Sequence, residues 1–165
     1  MTNGTQIATD SQLTAGSEIQ PGVYAKVVRD GYHVFCASGA ACMFQPLINW
    51  YKGGRKQKDR PQVGEDYWAC LWVFDPDQGA LWFKNPMTNP YPEVLNFPNA
   101  MGSGATYALG AMYAGADLVK AVEIASKLDI YTGGEIQLID IPVRPPKQSK
   151  WKRVWDALRG SGNQG

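Results

Sequence analysis

Histidine, cysteine and long apolar runs are scarce in this chain of 165 residues. The one histidine, His33, stands in a strand-like run without a serine or cysteine at a catalytic spacing, so we expect a packed strand residue. The three cysteines, Cys36, Cys42 and Cys70, form no C-x-x-C pair. The sequence therefore predicts no metal and no cofactor, and free buried thiols in a reducing compartment.

Membrane and export signals are also missing from the sequence. No apolar run approaches the roughly 20 residues that a membrane-spanning helix needs. The N-terminus lacks the basic-then-apolar pattern of a signal peptide. We therefore expect a cytoplasmic chain without a membrane partner, and its 165 residues are enough for one domain with a core of its own.

The formal net charge of +1 conceals an asymmetry between segments of the chain. Residues 52–60 and 147–159 each carry five cations against one aspartate, a net +4 each, which leaves −7 for the remainder. Two basic segments on an acidic body favour docking onto an acidic surface, which includes a neighbouring copy. The segments lack the dense mixture of basic and aromatic residues typical of nucleic-acid binding, so we expect no nucleic-acid partner.

Residues 99–141 carry the most ordered pattern in the chain. A Gly-Ser-Gly turn at 102–104 opens a helix of small residues, and Asp117 can cap a second helix. One apolar face of that second helix is formed by Leu118, Val122, Ala125 and Leu128. Residues 131–134, Tyr-Thr-Gly-Gly, then predict a turn that places Gly133 at positive φ, and a strand follows to Ile141.

The remaining segments predict mostly strands. We expect strands at 5–10, within 21–29 and at 32–37, and a hairpin formed by 66–74 and 80–84. Its aromatic residues fit either a sheet core or a ligand platform. A helix from Ser38 to about Tyr51 contains Pro46, which predicts a kink or a later start. Residues 52–66 predict a basic loop or a short helical remnant, and 85–98 a proline-rich loop.

The C-terminal segment, residues 143–165, predicts a proline linker followed by an amphipathic helix. An apolar stripe spaced i, i+3, i+4, i+7 is formed by Trp151, Val154, Trp155 and Leu158. Two interpretations stay open: the helix packs on its own domain, residues 1–142, or it is an oligomer interface that docks on another subunit.

The motif order in residues 99–141 resembles the second half of proteasome β subunits and of HslV, their bacterial relative. Those proteins carry a Gly-Ser-Gly turn, two helices and Asp-x-Tyr-(Ser/Thr)-Gly-Gly before a strand, and residues 129–134 read Asp-Ile-Tyr-Thr-Gly-Gly. Residues 8–16 are similar to the family's Ala-Asp-Ser-x-x-Thr-x-Gly, and 25–28 to its Lys-Lys-Val-Ile. The element pattern indicates an α+β fold. The resemblance, over residues 4–141, implies the four-layer α-β-β-α sandwich of the N-terminal-nucleophile hydrolases.

The resemblance also implies a set of residues descended from a threonine-peptidase site. Lys26 would be the catalytic lysine and Asp10 its orienting partner. The residues that hold the amino terminus would be Ser103 and Asp129, with Thr132 beside them. Thr14 would offer backbone hydrogen bonds to an extended peptide, and Gly39 would line the site. Each residue singly also fits a structural role, such as capping a turn, but together in the family's order they favour descent from a catalytic site.

The nucleophile is the missing part of this pattern. The family places a strand, a turn and a second strand before the aspartate, whereas nine residues precede Asp10 here. We expect Thr2 to lie away from the site, because the residues between it and Asp10 would run one way along a strand. Two hypotheses follow: a non-catalytic subunit that assembles with copies of itself or in a larger particle, or a threonine peptidase acting on peptides. Compact proteins of this type also occur in bacteriophages, which makes a virion component one such particle.

Overall fold

The computed structural model describes residues 1–62 and 68–145 of the chain. The strands in these residues are β1 Gln6–Thr9, β2 Leu13–Ala15, β3 Glu18–Gln20, β4 Val27–Asp30, β5 His33–Gly39, β6 Ala69–Asp75, β7 Gly79–Phe83, β8 Glu93–Val94 and β9 Gln137–Asp140. The α-helices are α1 Phe44–Lys52, α2 Ala105–Tyr113 and α3 Leu118–Leu128. This mixture of strands and helices confirms the predicted α+β content.

A five-stranded antiparallel sheet with the order β4-β5-β6-β7-β8 is the largest unit of the fold. Its centre is the pair β5 and β6, most of whose residues are buried because both faces of the sheet are covered. The predicted hairpin is present as β6 and β7, with a turn between Asp75 and Gly79. Of its aromatic residues, Trp72, Phe74 and Phe83 are buried in the core, whereas Trp68 is 50% exposed and lines a cavity.

Helix α1 packs on one face of this sheet. Leu47 and Trp50 from the helix meet Phe35 and Phe83 from the strands in one hydrophobic cluster. The helix begins at Phe44, after a 3-10 turn at Ala41–Met43, and not at Ser38; of the two alternatives predicted from Pro46, the structure shows the later start. The later start places Pro46 in the first helical turn, where a missing N–H is tolerated, so the helix needs no kink.

The opposite face of the sheet packs on a second, two-stranded sheet made of β1 and β9. Ile7 of β1 lies against Val34 and Trp72 of the large sheet and is fully buried. The next residue, Ala8, points the other way and packs against Leu118 and Val122 of α3, as alternation along a strand requires. Strand β1 therefore has the large sheet on one side and the helix pair α2–α3 on the other.

Helix α3 largely follows its predicted pattern. Asp117 is the N-cap, since its Oδ1 accepts a hydrogen bond from the backbone N–H of Lys120 at 2.8 Å. Leu118, Val122 and Ala125 are buried as predicted, but Leu128 is 58% exposed and the prediction for it was wrong. Leu128 is the last helical residue, and its side chain lies beyond the edge of the packed surface.

Three further features differ from the predictions or lie beyond them. Cys42 is exposed, because the turn at Ala41–Met43 directs Met43 inward and Cys42 outward; Cys36 is buried as expected. Residues 13–20 form a hairpin of β2 and β3 that the sequence did not predict. The segment predicted as a basic loop or a short helical remnant, residues 52–66, contains one 3-10 turn, Gln57–Asp59, in its described part, residues 52–62.

The predicted C-terminal helix lies outside the described residues, and so do its interface residues Trp151, Val154, Trp155 and Leu158. The described chain ends just after Arg144, whose Nη1 lies 2.8 Å and 2.9 Å from the two carboxylate oxygens of Asp77. Within the described part of the chain, no helix is both long and apolar enough to cross a bilayer.

Candidate functional site

An ion pair between Asp10 and Lys26 lies at the centre of the candidate site. Asp10 follows the last residue of β1, and Lys26 precedes the first residue of β4, so the two residues flank strands of different sheets. Lys26 Nζ lies 2.8 Å from both carboxylate oxygens of Asp10. The side chains are only 20% and 14% exposed, so the pair is largely shielded from water. The structure thus joins two residues that the sequence assigned to one site.

The loop that follows α3 forms the second part of the site. Thr132 Oγ1 donates a hydrogen bond of 2.6 Å to Asp129 Oδ2, and the backbone N–H of Tyr131 donates to Asp129 Oδ1. Partial burial raises the pKa of Asp129, but hydrogen bonds from Ser103, Thr132 and Tyr131 outweigh it and hold the pKa below its ordinary value. Ser103, Asp129 and Thr132 therefore form one hydrogen-bonded group.

Asp10 also connects the ion pair to this loop. Its Oδ2 accepts a hydrogen bond from the backbone N–H of Gly133 at 3.1 Å, across 123 positions of sequence. The positive charge of Lys26 contributes to the lowered pKa of Asp129 as well. All five residues predicted as catalytic support are therefore held in one region.

Ser11 and Gln12, two residues that the sequence did not indicate, form hydrogen bonds to the loop that follows α3. Their backbone N–H groups both donate to the carbonyl of Gly133, at 3.1 Å and 2.9 Å. Ser11 Oγ accepts from the N–H of Glu135, and Gln12 Nε2 donates to the carbonyl of Ile130. The signal that could have identified them is their place directly after Asp10 in the quoted motif.

In the Gly-Gly turn the residue at positive φ is the second glycine, and not the first. Gly134 has φ +77°, whereas Gly133 is not at positive φ, so the prediction for Gly133 was wrong. A Cβ on Gly134 would lie 2.6 Å from Ser11 Oγ, so a side chain there meets both strain and crowding. Gly133 is instead crowded by the side chain of Gln12.

Two adjacent cavities border this group. The smaller, of about 80 Å³, is lined by Asp10, Lys26, Ser103 and Thr132 among others. The larger, of about 430 Å³, is lined by the two predicted peptide-contact residues, Thr14 and Gly39, and also by Lys26 and Ser103. Both cavities share five lining residues: Lys26, Ala37, Ser38, Ser103 and Tyr131. The larger cavity has mainly apolar and aromatic walls, which are formed by Leu13, Tyr24, Phe35, Phe44, Ile48 and Trp68.

Thr2 does not line either cavity. It is fully buried, its hydroxyl donates to the carbonyl of Gln6 at 2.7 Å, and the same oxygen accepts from the N–H of Gly4 at 3.1 Å. The Asn3-Gly4 turn folds the chain back, so Thr2 bridges to Ile7. The prediction that residues 2–10 run one way along a strand was therefore wrong. Met1 lies beside Ala8, and its amino group donates to the Ala8 carbonyl at 2.7 Å. Met1 also lines the smaller cavity.

No group of three or more histidine, cysteine, aspartate or glutamate residues placed to hold a metal ion occurs in residues 1–62 and 68–145. The charged groups at the site include a lysine paired with one aspartate, a second aspartate bound to hydroxyls and the buried amino group of Met1. This arrangement can orient an ammonium group and bind a polar backbone.

The fold is similar to solved structures of HslV and of related proteins. No protein-family model and no curated protein sequence matches the chain. The structure of BPH from Thiobacillus denitrificans in complex with epoxomicin has 20% sequence identity and a TM-score of 0.63, over 88% of this chain and 97% of that one. A second BPH structure has 20% identity and a TM-score of 0.62, over 85% and 93%. Eukaryotic HslV from Trypanosoma brucei has 19% identity and a TM-score of 0.63, over 85% and 95%. The chain therefore has the HslV-like fold.

Proposed function

We propose that this protein is a non-catalytic subunit with the HslV-like fold that associates with copies of itself. The observation that carries the non-catalytic part is the hydrogen bonding of Thr2. Its hydroxyl is committed to the turn around Gly4 and Gln6 and lies outside both cavities. A nucleophilic threonine needs a hydroxyl free to attack, and this condition is not met at Thr2.

In this proposal the support residues of a former catalytic site are kept. We call them the Asp10 group: Asp10, Lys26, Ser103, Asp129 and Thr132. In an active relative, a lysine held by an aspartate would lower the pKa of the attacking group through its charge. Here Lys26 and Asp10 connect β1, β4 and the loop at 129–134. Ser103, Asp129 and Thr132, which would hold an amino terminus, bind one another through Asp129.

The finer fold assignment belongs to the same proposal. The packing order is α1, the five-stranded sheet, the β1–β9 pair and then α2 with α3. This order supports a four-layer α-β-β-α sandwich of the N-terminal-nucleophile hydrolase type for residues 1–142. Residues 143–165 would be the linker and docking helix of the assembled form, which is either a free particle or a component of a larger one such as a phage virion.

A threonine peptidase is the second candidate function, and the Asp10–Lys26 pair favours it. The 2.8 Å contacts and the low exposure of both side chains match what an active site would need. The larger cavity beside the pair, with Thr14 and Gly39 in its wall, could accept an extended peptide. What separates the two functions is therefore the presence of a working nucleophile.

Hydrolysis of small fluorogenic peptides tests the proposal directly. We expect no turnover by the purified full chain, because the Thr2 hydroxyl is held in its turn. The matched control is Thr5→Ala, which changes an exposed threonine in the same turn. Turnover that disappears in Thr2→Ala and persists in Thr5→Ala would replace the proposal with the peptidase function.

A further inference from the structure

The smaller cavity of the candidate site contains a hydroxyl that the fold leaves without a partner. Thr9 lines this cavity and is only 7% exposed. Its Oγ1 forms no hydrogen bond in residues 1–62 and 68–145. A buried polar group without a partner costs stability, so most buried polar groups in proteins are bound to something. Thr9 therefore indicates that the cavity has a polar occupant.

Three further donors border the same cavity. Two hydrogens of the Lys26 ammonium point at the oxygens of Asp10, which leaves the third for another acceptor. The backbone N–H groups of Ser103 and Gly104 donate to no acceptor in the described part of the chain. Together with the Thr9 hydroxyl, four donors are therefore available at one small space.

The start of helix α2 adds a favourable electrostatic field at this place. Ser103 and Gly104 line the cavity, and the helix begins there without a capping side chain. The peptide dipoles of a helix give its N-terminus a partial positive charge, and the unsatisfied N–H groups there bind anions. The Lys26 ammonium adds a full charge to the same wall. The amino group of Met1 adds less, because burial lowers its pKa and it already donates to the Ala8 carbonyl.

The acidic groups in the cavity wall are either paired or neutral. Asp10 is the carboxylate there, and its oxygens already accept from Lys26 and from the backbone N–H groups of Gln12 and Gly133. Cys36 also lines the cavity, but burial raises the pKa of its thiol to about 11, so the thiol is neutral near pH 7. An occupant therefore meets unused donors and no unsatisfied carboxylate, which favours an anion.

The size of the cavity limits this anion to a few atoms. Its volume of about 80 Å³ is several times the roughly 10–15 Å³ that one water molecule needs on the same measure. Much of the wall consists of small side chains, namely Ala8, Ala37, Ala100, Ala105, Ala108 and Ala125. A carboxylate suits this space, because it is compact and its two oxygens offer about four acceptor sites for the four donors.

We propose that the smaller cavity binds a small monocarboxylate of the size of formate or acetate, held by Lys26, the Thr9 hydroxyl and the N–H groups at the start of α2. The inference rests on the non-catalytic function proposed above, in which these residues no longer serve peptide cleavage. It gives the Asp10 group a present use. Asp10 holds Lys26 at the cavity, and the ammonium supplies the single positive charge that a monocarboxylate matches.

The first test compares acetate with acetamide, which has nearly the same shape and no charge. Thermal unfolding of the full chain would be followed at constant ionic strength, adjusted with chloride. A ligand that binds only the folded state raises the melting temperature as its concentration exceeds the dissociation constant, which we expect at about 1–10 mM for so small a ligand. Acetate at about 100 mM should raise the melting temperature by about 2–5 °C, and acetamide should not. Equal effects of the two, or no effect of either, would overturn the site.

Thr9→Val tests the hydroxyl, because valine has nearly the same shape as threonine. Since the hydroxyl has no partner, this variant should be at least as stable as the wild type without acetate. Its affinity for acetate, measured by isothermal titration calorimetry, should nevertheless fall by about threefold to tenfold. A hydroxyl with a purely structural role would give the reverse, a loss of stability and unchanged affinity.

Lys26→Met tests the charge, and Lys127→Met, at an exposed lysine of α3, is its matched control. Lys26→Met should weaken acetate binding by at least about tenfold, because a charge-assisted hydrogen bond is lost, and Lys127→Met should leave it unchanged. Equal affinities of these two variants would refute the part assigned to Lys26. Circular dichroism verifies that each variant is folded, and Thr9→Val decides the matter if Lys26→Met is not.

The outcomes keep the two proposals apart. A full chain that cleaves no fluorogenic peptide and binds no acetate would overturn the carboxylate site alone. Peptide cleavage that disappears in Thr2→Ala would overturn the proposed function and, with it, the present use of these residues.

Discussion

Asp10 and Asp75 are both well-shielded carboxylates, yet they receive their hydrogen bonds from different kinds of donor. Asp75 accepts from the Tyr51 hydroxyl at 2.7 Å and from the backbone N–H groups of Asp77 and Gln78 at 2.7 Å and 2.9 Å. These donors come from its own turn and from the core. Asp10 also accepts one local bond, from the backbone N–H of Gln12 at 3.3 Å, but its other donors are the Lys26 ammonium and the N–H of Gly133, 123 positions away.

The two carboxylates differ in the charge and in the number of hydrogens of the groups that donate to them. An ammonium group has three hydrogens, and two of those on Lys26 point at the oxygens of Asp10. Lys26 also lines both cavities of the candidate site, so the third hydrogen of its ammonium group can be donated there. Around Asp75 the shortest hydrogen bonds come from neutral donors with a single hydrogen, the Tyr51 hydroxyl and two backbone N–H groups, while His33 Nε2 lies further away, at 3.4 Å. Low exposure alone therefore does not distinguish a site residue from a structural one; the donors do.

The largest expected effect is on stability at Asp75. Asp75→Ala should lower the free energy of unfolding by about 3 kcal/mol, because it leaves the buried Tyr51 hydroxyl and two backbone N–H groups without their acceptor. Asp10→Ala should lower it by a smaller amount, about 2 kcal/mol: the N–H groups of Gly133 and Gln12 lose their acceptor, but the long Lys26 side chain can turn its ammonium toward the open cavity. Urea unfolding of both variants measures the difference, and equal losses would refute it.

The two clusters should also respond differently to glycine substitution in their turns. Gly134, beside the Asp10 group, and Gly79, beside Asp75, have φ of +77° and +86°. Gly79→Ala should lower the free energy of unfolding by about 1 kcal/mol through backbone strain alone, because no atom lies within 4 Å of the added Cβ. Gly134→Ala adds crowding against Ser11 Oγ, which raises the expected loss to about 2 kcal/mol.

Thermal unfolding of these two variants and the wild type gives the comparison. Gly110→Ala serves as a control for the residue change itself. Gly110 lies in a helix and no atom lies within 4 Å of the added Cβ, so this variant should be slightly more stable than the wild type. A Gly134→Ala variant no less stable than Gly79→Ala would mean that the loop at 129–134 does not need its close contact with Ser11.

Acid sensitivity offers a third comparison. Burial raises the pKa of Asp75, but hydrogen bonds from Tyr51, Asp77 and Gln78 outweigh it and leave the pKa below its ordinary value. A carboxyl whose folded pKa is depressed stabilises the fold above its unfolded pKa, near 3.9, and this contribution is lost as the pH falls through the folded value. The wild type should therefore lose stability from about pH 5 downward.

Asp75→Asn removes this titration and should give a flatter profile of unfolding free energy over the same pH range, at a lower overall stability. Asp129→Asn should flatten the profile too, because the pKa of Asp129 is also lowered. Parallel wild-type and Asp75→Asn profiles below pH 5 would show that this carboxyl does not contribute to the acid sensitivity.

Local patterns in the sequence were sufficient to predict some elements. The cap at Asp117 and the buried face of α3 follow from rules that act within one helix. The β6–β7 hairpin follows from strand-forming residues on both sides of a turn-forming segment. The missed β2–β3 hairpin has strands of only three residues each, which is too short for alternation to be recognised.

The candidate site depends on contacts that no local pattern encodes. Asp10 and Lys26 are 16 positions apart on different sheets, and the resemblance to a known family, not the spacing, brought them together. Which glycine of the pair 133–134 takes positive φ depends on the contact of that loop with Ser11 and Gln12, more than a hundred positions earlier. Tertiary contacts of this kind override what residue preference alone can predict.

The smallest expected effect is the coupling between Asp10 and Lys26. A double-mutant cycle with Asp10→Asn and Lys26→Met should give a coupling energy of about 1 kcal/mol, because the pair retains some exposure and part of its attraction is screened. The coupling should fall further at about 1 M salt, where the Debye length is only about 3 Å. A parallel cycle with Asp75→Asn and Tyr51→Phe should depend little on salt, because the Tyr51 hydroxyl is a neutral donor. Equal salt dependence in the two cycles would remove the distinction between a charged site pair and a neutral structural one.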